Sequence, residues 1–323
     1  MPIPSPQLPN LGKQRTFSVI LQTSSEQLFD SAFLTKLEQL YLLSKKLFRG
    51  QNHAERRSRQ TGSSLEFADY RNYTRGDDLR SIDWNIYGRL DRLFIKLFEE
   101  EQDLQIDFLL DTSASMHWRP AGVEDRISKF DQARRIVASL AYIGLANLDR
   151  VNIHTFGGAL IGDMGVSRGK SQFHKVLDFL RRVPDPEDQT NLAATFRAYA
   201  QRMKRRGLVF VVSDLFAGEG CEEALSVLRY HQFDVHVIQV LDPAELDPTL
   251  SGDLRLIDSE SGAPFELTAD PAMLRRYRAE IGRFVESIES YCQKRQCGYA
   301  LASTVIPFED LVLRVLRDGR IVR

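Results

Sequence analysis

Residues 106–116 read IDFLLDTSASM: an apolar run that stops abruptly at Asp111, Ser113 and Ser115. A short apolar run bounded by turn residues has the pattern of a buried strand. Its exit is unusual, because one carboxylate and two hydroxyls follow at alternate positions. Similar runs recur downstream: LQIDFLL, RVNIHTF, GLVFVVSDL, FDVHVIQVL and GYALAS all read as strands. Between them the spacing predicts helices near 125–148, 170–182, 191–206, 219–230 and 271–296. The first has Ile127, Phe130, Val137, Leu140 and Leu148 as its apolar face, and the third has Leu192, Phe196, Tyr199 and Met203. Near-continuous apolar strands alternating with helices imply an α/β fold whose mostly parallel central sheet is covered on both faces. LRLIDSESGAPFEL reads as a hairpin inserted near 253–268.

Ahead of residue 103 the pattern differs. Residues 1–25 are Pro-rich and irregular. Residues 26–49 predict an amphipathic helix with Phe29, Phe33, Leu37, Leu40 and Leu47 on one face and Gly50 as its stop. QNHAERRSRQTGSS is a polar, basic loop. LEFADYRNY and LFIKLFEEE read as strands, with TRGDDLRSIDW between them as a turn and a short helical piece. The expected organisation is therefore an irregular N-terminus (1–25), a helix and strand region (26–102) and an α/β domain (103–320).

A chain of 323 residues with 43% hydrophobic and 27% charged residues has the composition of a globular protein. A net charge of -1 argues against a nucleic-acid or anionic-membrane binder by bulk charge. Three cysteines, Cys221, Cys292 and Cys297, fit a reducing compartment, and their spacing does not suit a zinc knuckle. The N-terminus has no signal-peptide core, and no run approaches the ~18 apolar residues of a membrane span. A cytoplasmic location is expected.

In a sheet of this kind ligands bind beyond the carboxyl ends of the strands, where strand order reverses. The first core strand ends in Asp111-Thr-Ser-Ala-Ser115 and the strand near 207–215 ends in Ser213-Asp214. The loop before the 191–206 helix ends in Gln189-Thr190-Asn191. These ends supply hard oxygens, which suit Mg²⁺, Mn²⁺ or Ca²⁺ rather than zinc or copper. Few charged donors leave positions for water or an outside ligand.

The order Asp111-x-Ser113-x-Ser115, then Thr190, then Asp214 resembles the metal-ion-dependent adhesion site of von Willebrand factor A (vWA) domains. DYRNYTRGDDLRSIDW, LFIKLFEEEQ, LLDTSASM and KFDQARRIVASLAYIGLANLDRVNIHTF together resemble the bacterial family called domain of unknown function 58, over roughly residues 30–320. The resemblance implies a three-layer, Rossmann-like vWA domain. In it Ser113 and Ser115 would ligate Mg²⁺ directly, Asp111, Thr190 and Asp214 would do so directly or through water, and a partner's carboxylate would complete the octahedron. Family members are often encoded beside MoxR-type AAA+ ATPases. The implied function is a non-enzymatic, Mg²⁺-dependent protein-interaction module partnering such an ATPase. One departure is the lead-in PDPEDQT before Thr190, where relatives usually have a glycine-rich run.

Two other functions stay open. A metal-dependent, phosphatase-like hydrolase would use the same oxygens, with His117 as a candidate base; a nucleic-acid binder would use the basic 49–92 region. TRGDDLRSIDW also has two readings. Gly76 in a turn, Asp77 or Asp78 as a cap and Arg80 paired a turn away would be structural; Arg75, Asp77, Arg80 and Trp84 as a patch would serve a partner or brace the metal-site loops. Gly169-Lys170-Ser171 imitates a phosphate-binding loop, but Met164 replaces the required first glycine.

Overall fold

A computed structural model describes residues 28–49, 66–99, 104–120, 126–183, 191–216, 220–257 and 264–318. The Pro-rich N-terminus, the basic loop with its RRSR run, and the PDPEDQT lead-in with Thr190 lie outside the described residues. Helix α1 (Ser31–Arg49) comes first, then strand β1 (Glu66–Asn72), helix α2 (Trp84–Leu90) and strand β2 (Phe94–Glu99). There follow β3 (Gln105–Asp111), α3 (Lys129–Ala146), β4 (Arg150–Phe156), β5 (Leu160–Asp163), β6 (Ser167–Arg168), α4 (Phe173–Arg181) and α5 (Leu192–Arg202). The chain continues through β7 (Leu208–Ser213), α6 (Cys221–Tyr230), β8 (Asp234–Leu241) and the single turn α7 (Pro243–Leu246). Next come β9 (Gly252–Ile257), β10 (Pro264–Ala269), α8 (Pro271–Lys294), β11 (Gly298–Ser303) and α9 (Phe308–Asp318).

The main sheet has the order β11-β8-β7-β3-β4-β5, with β6 also paired to β4. Five strands are parallel; β5 and β6 run antiparallel to β4 at one edge. β3 is therefore flanked by β4 on one side and β7 on the other. The chain fills the β4 side first and then crosses back to β7, so strand order reverses at the β3–β7 pair. Gly207 leads into β7 because a Cβ there would sit 2.3 Å from the Gln105 carbonyl oxygen. β9 and β10 form a separate antiparallel hairpin, and β1 and β2 another.

The two-residue period of the strands sorts their side chains between two cores. On one face Ile106, Phe108 and Leu110 of β3 pack with Ile136, Val137 and Leu140 of α3 and with Leu311, Val312 and Val315 of α9. On the other, Leu109, Val209 and Val211 meet Phe196 and Tyr199 of α5, Leu225 and Leu228 of α6, and Ile288 and Cys292 of α8. Both faces being covered explains why β3 and β7 are buried at every position. Leu148, expected on the apolar face of α3, is instead exposed. It lies past the helix end with a φ of 64°, in the turn that feeds β4.

α1 adds to the first core, burying Phe33, Leu37 and Leu40, and Phe29, in the turn just ahead of the helix, is buried with them. Phe33 stacks near Phe308 of α9, with centroids 4.8 Å apart, and Lys36 pairs with Glu309 at 2.6 Å. Lys170, the lysine of the phosphate-loop imitation, reaches Glu38 of α1 at 2.8 Å. Its charge serves helix docking. The three thiols are buried in the second core, where loss of hydration pushes Cys221 and Cys292 up to about 12.

One polar group is set inside the second core. Asp107 accepts from Tyr199 Oη at 2.8 Å and from Gln105 Nε2 at 2.9 Å. Burial and the Asp107 charge hold the Tyr199 hydroxyl well above its ordinary pKa, so it stays a donor. Tyr199→Phe removes one donor from a buried carboxylate and is expected to cost about 1.5–3 kcal/mol. Urea unfolding should show a lower midpoint with an unchanged slope.

Candidate metal centre

Asp111, the last residue of β3, and Asp214, just after β7, emerge side by side at the point where strand order reverses. Each is buried, with 2% and 1% of its surface exposed. Asp111 Oδ1 accepts from the Ser113 N–H at 2.8 Å, and Oδ2 accepts from Ser213 Oγ at 2.5 Å. Thr112 turns away and donates both its N–H and its hydroxyl to the Phe156 carbonyl, at 2.8 and 2.9 Å. This anchors the chain as it leaves the strand. A short 3-10 turn, Ala114–His117, then brings Ser115 back beside Ser113, with their Oγ atoms 3.0 Å apart. Met116 is buried beneath this turn and His117 packs on the Phe130 ring at 4.4 Å.

Two carboxylates so close and so dry repel each other. Burial first, and the Asp214 charge second, push Asp111 up to about 7 despite its hydrogen bonds to Ser213 and Ser113. A cation placed between the two carboxylates would reverse that.

The structure also supplies a cation that sequence reasoning missed. Lys129, the first residue of α3, is fully buried; its Nζ donates to Asp214 Oδ2 at 2.7 Å and to Glu245 Oε1 at 2.5 Å. It also lies 4.9 Å from the centre of the Phe216 ring. Glu245 sits in α7, whose capping box ties its other oxygen to the Asp242 N–H. Asp242, at the end of β8, is itself buried between Arg126 at 3.0 Å and the Thr304 hydroxyl at 2.5 Å. The ends of β3, β7, β8 and β11 thus share one polar network. The available signals were a lysine at a helix start, where the dipole disfavours it, and D-P-x-E after a strand.

Among the described residues no group of three or more His, Cys, Asp or Glu side chains is placed to hold a metal. The donor set at this site is of another kind, two carboxylates with hydroxyls. The structure brings together four of the five expected residues, Asp111, Ser113, Ser115 and Asp214; Thr190 lies outside the described residues.

The residues of the suggested patch lie on the β1–β2 unit. Asp77 is structural: it accepts from Arg71 at 2.8 Å and from the Thr74 N–H and hydroxyl at 2.8 and 2.7 Å, closing the turn at Gly76. Asp78 and Asp83 cap the next two turns. Arg80 does not pair a turn away as the structural reading required; both Arg75 and Arg80 are exposed and make no ion pair among the described residues. Trp84 is 63% exposed and meets Tyr87 edge to face, and Leu79 and Leu90 are exposed too.

No described helix is long and apolar enough to cross a membrane. Comparison with known proteins gives relatives of 25% identity over 283 residues in Mycobacterium bovis and Mycobacterium tuberculosis, each an uncharacterized protein, covering 85% of both chains. Among solved structures, an aerotolerance-related membrane protein from Bacteroides fragilis is 16% identical and covers 67% of this chain and 98% of its own, with a TM-score of 0.42. The conserved hypothetical protein BatB from Bacteroides thetaiotaomicron is 14% identical and covers 67% and 96%, with a TM-score of 0.40. The family model described as "Protein of unknown function DUF58" matches residues 69–284, and the chain belongs to that family.

Proposed function

We propose that this chain is a non-enzymatic, Mg²⁺-dependent protein-interaction module with a vWA-type metal site. The carrying observation is the 3.0 Å separation of Ser113 Oγ and Ser115 Oγ beside Asp111 and Asp214. Adjacent oxygens of a magnesium octahedron, with bonds of about 2.0–2.1 Å, lie ~3 Å apart. Ser113 and Ser115 would hold the ion, Asp111 and Asp214 would supply its counter-charge, and Thr190 is the fifth expected contributor. Bound Mg²⁺ would act as a Lewis acid toward a carboxylate from outside. Asp111 fixes Ser113 through its N–H, and Thr112 fixes the strand exit, so the hydroxyls are set before the ion arrives.

By family resemblance the partner is a MoxR-type AAA+ ATPase, or a client that the pair assembles or activates, in the cytoplasm. The exposed Arg75, Arg80 and Trp84 offer a second contact surface. The test is association of the purified chain with its cognate ATPase in magnesium and in EDTA. Binding that needs magnesium supports the reading, and equal binding in both sinks it. Trp84→Ala with Arg80→Ala is expected to change stability by less than about 0.5 kcal/mol, since both side chains are exposed. The same double variant should weaken partner capture without altering the magnesium-induced rise in melting temperature.

A further inference from the structure

We propose that Lys129 is an internal cation that competes with the metal for Asp214, and that Glu245 sets the strength of this competition. The inference rests on the metal-site reading above and adds a regulatory element to it. An ammonium has three donors. Here one goes to Asp214 Oδ2, one to Glu245 Oε1, and the group also lies against the Phe216 ring, with no exposure to water. Both oxygens of Asp214 are engaged: its Oδ1 accepts from the Phe216 N–H at 3.0 Å and its Oδ2 from Lys129. Asp111 is committed likewise, to Ser113 and Ser213. A divalent cation, or a water bound to it, therefore shares the Asp214 carboxylate with an ammonium already in place.

Charge counting gives the consequence. Asp111, Asp214 and Glu245 carry three negative charges and Lys129 one positive charge, so the empty cluster has a net charge of -2. Bound magnesium brings it to neutrality, which removes the repulsion that an incoming carboxylate would otherwise meet. Metal and acidic partner then bind cooperatively, and neither is held strongly alone. Glu245 moderates the effect by drawing the ammonium away from Asp214. It stands on α7, and its backbone partner Asp242 closes β8, so the tuning group lies on a different element from the ligands.

Neutral variants of Lys129 and of Glu245 make opposite predictions. Lys129→Met frees Asp214, and magnesium binding followed by calorimetry should tighten by roughly tenfold or more. Glu245→Gln leaves the ammonium wholly on Asp214, and magnesium binding should weaken by a similar factor. A purely structural role would lower stability in both and shift affinity in one common direction, so a melt in EDTA is run alongside. Opposite shifts in affinity support the proposal, as does a silent wild type beside a Lys129→Met that binds. Unchanged affinity in both variants, or weakening in both, overturns it. Should Lys129→Met fail to fold, Lys129→Gln takes its place; should that fail too, an unchanged dissociation constant in Glu245→Gln overturns the proposal and a weakened one supports it. Absence of magnesium binding in every protein, or binding undiminished in Asp111→Asn, overturns the metal-site reading itself.

Discussion

In Asp111→Ala, magnesium is expected to lose its effect on melting. A ligand at ~100 times its dissociation constant stabilises the folded state by about 2.7 kcal/mol, provided it does not bind the unfolded chain. For a domain of this size that is a rise of roughly 5–10 °C in the wild type. Asp111 contributes charge to the site and also holds Ser113 through its N–H. Its removal strips both the counter-charge and the orientation of a donor. The wild type should therefore melt higher in excess magnesium than in EDTA, while the variant melts at one temperature in both. A variant that keeps the shift would place the metal elsewhere. The sign with pH follows from the raised carboxyl. Asp111 takes up its proton more readily folded than unfolded, so this contribution to stability is present below about pH 4 and is lost as pH rises through about 7. Bound magnesium should reverse that trend, because it favours the ionised form.

Phe108→Ala is expected to cost about 3–5 kcal/mol. Phe108 is fully buried at the middle of β3, and its ring stacks on Phe210 of β7, with centroids 5.1 Å apart and planes 11° from parallel. Those two strands carry Asp111 and Asp214 at their ends. The loss is transfer free energy plus the cavity left between the sheet and the helices packed on that face, which cannot close fully around it. Against a total stability of 5–15 kcal/mol it is large. Guanidinium unfolding should show the lower midpoint. Where the variant is still folded, the magnesium shift should persist, because the site lies three residues further along the strand. Loss of that shift at full folding would mean that core packing, and not only Asp111, sets the position of the serines.

The strands and helices around the site were legible because their apolar periods are long and unbroken. RVNIHTF and GYALAS are strands over the residues read from the sequence. The antiparallel edge was not legible: β5 has four residues and β6 has two, too few for any period to show. α9 lies beyond the helices that the spacing predicts, although Leu311, Val312, Val315 and Leu316 carry a helical period. Trp84 and Arg80 were legible as residues but not as surface, since nothing in TRGDDLRSIDW tells a packed aromatic from an exposed one.

The sequence by itself determined the alternation that makes a parallel sheet, and the clustering of hard oxygens at the ends of β3 and β7. Both follow from local pattern: burial on two faces demands apolar strands, and Asp and Ser mark where a strand opens. Only the tertiary structure decided that Lys129 meets Asp214 and Glu245, which stand 85 and 116 residues away along the chain. A buried ammonium must find carboxylates to offset its lost hydration, and which ones it finds depends on the order of strands in the sheet. That order is set by how the helices pack on its two faces.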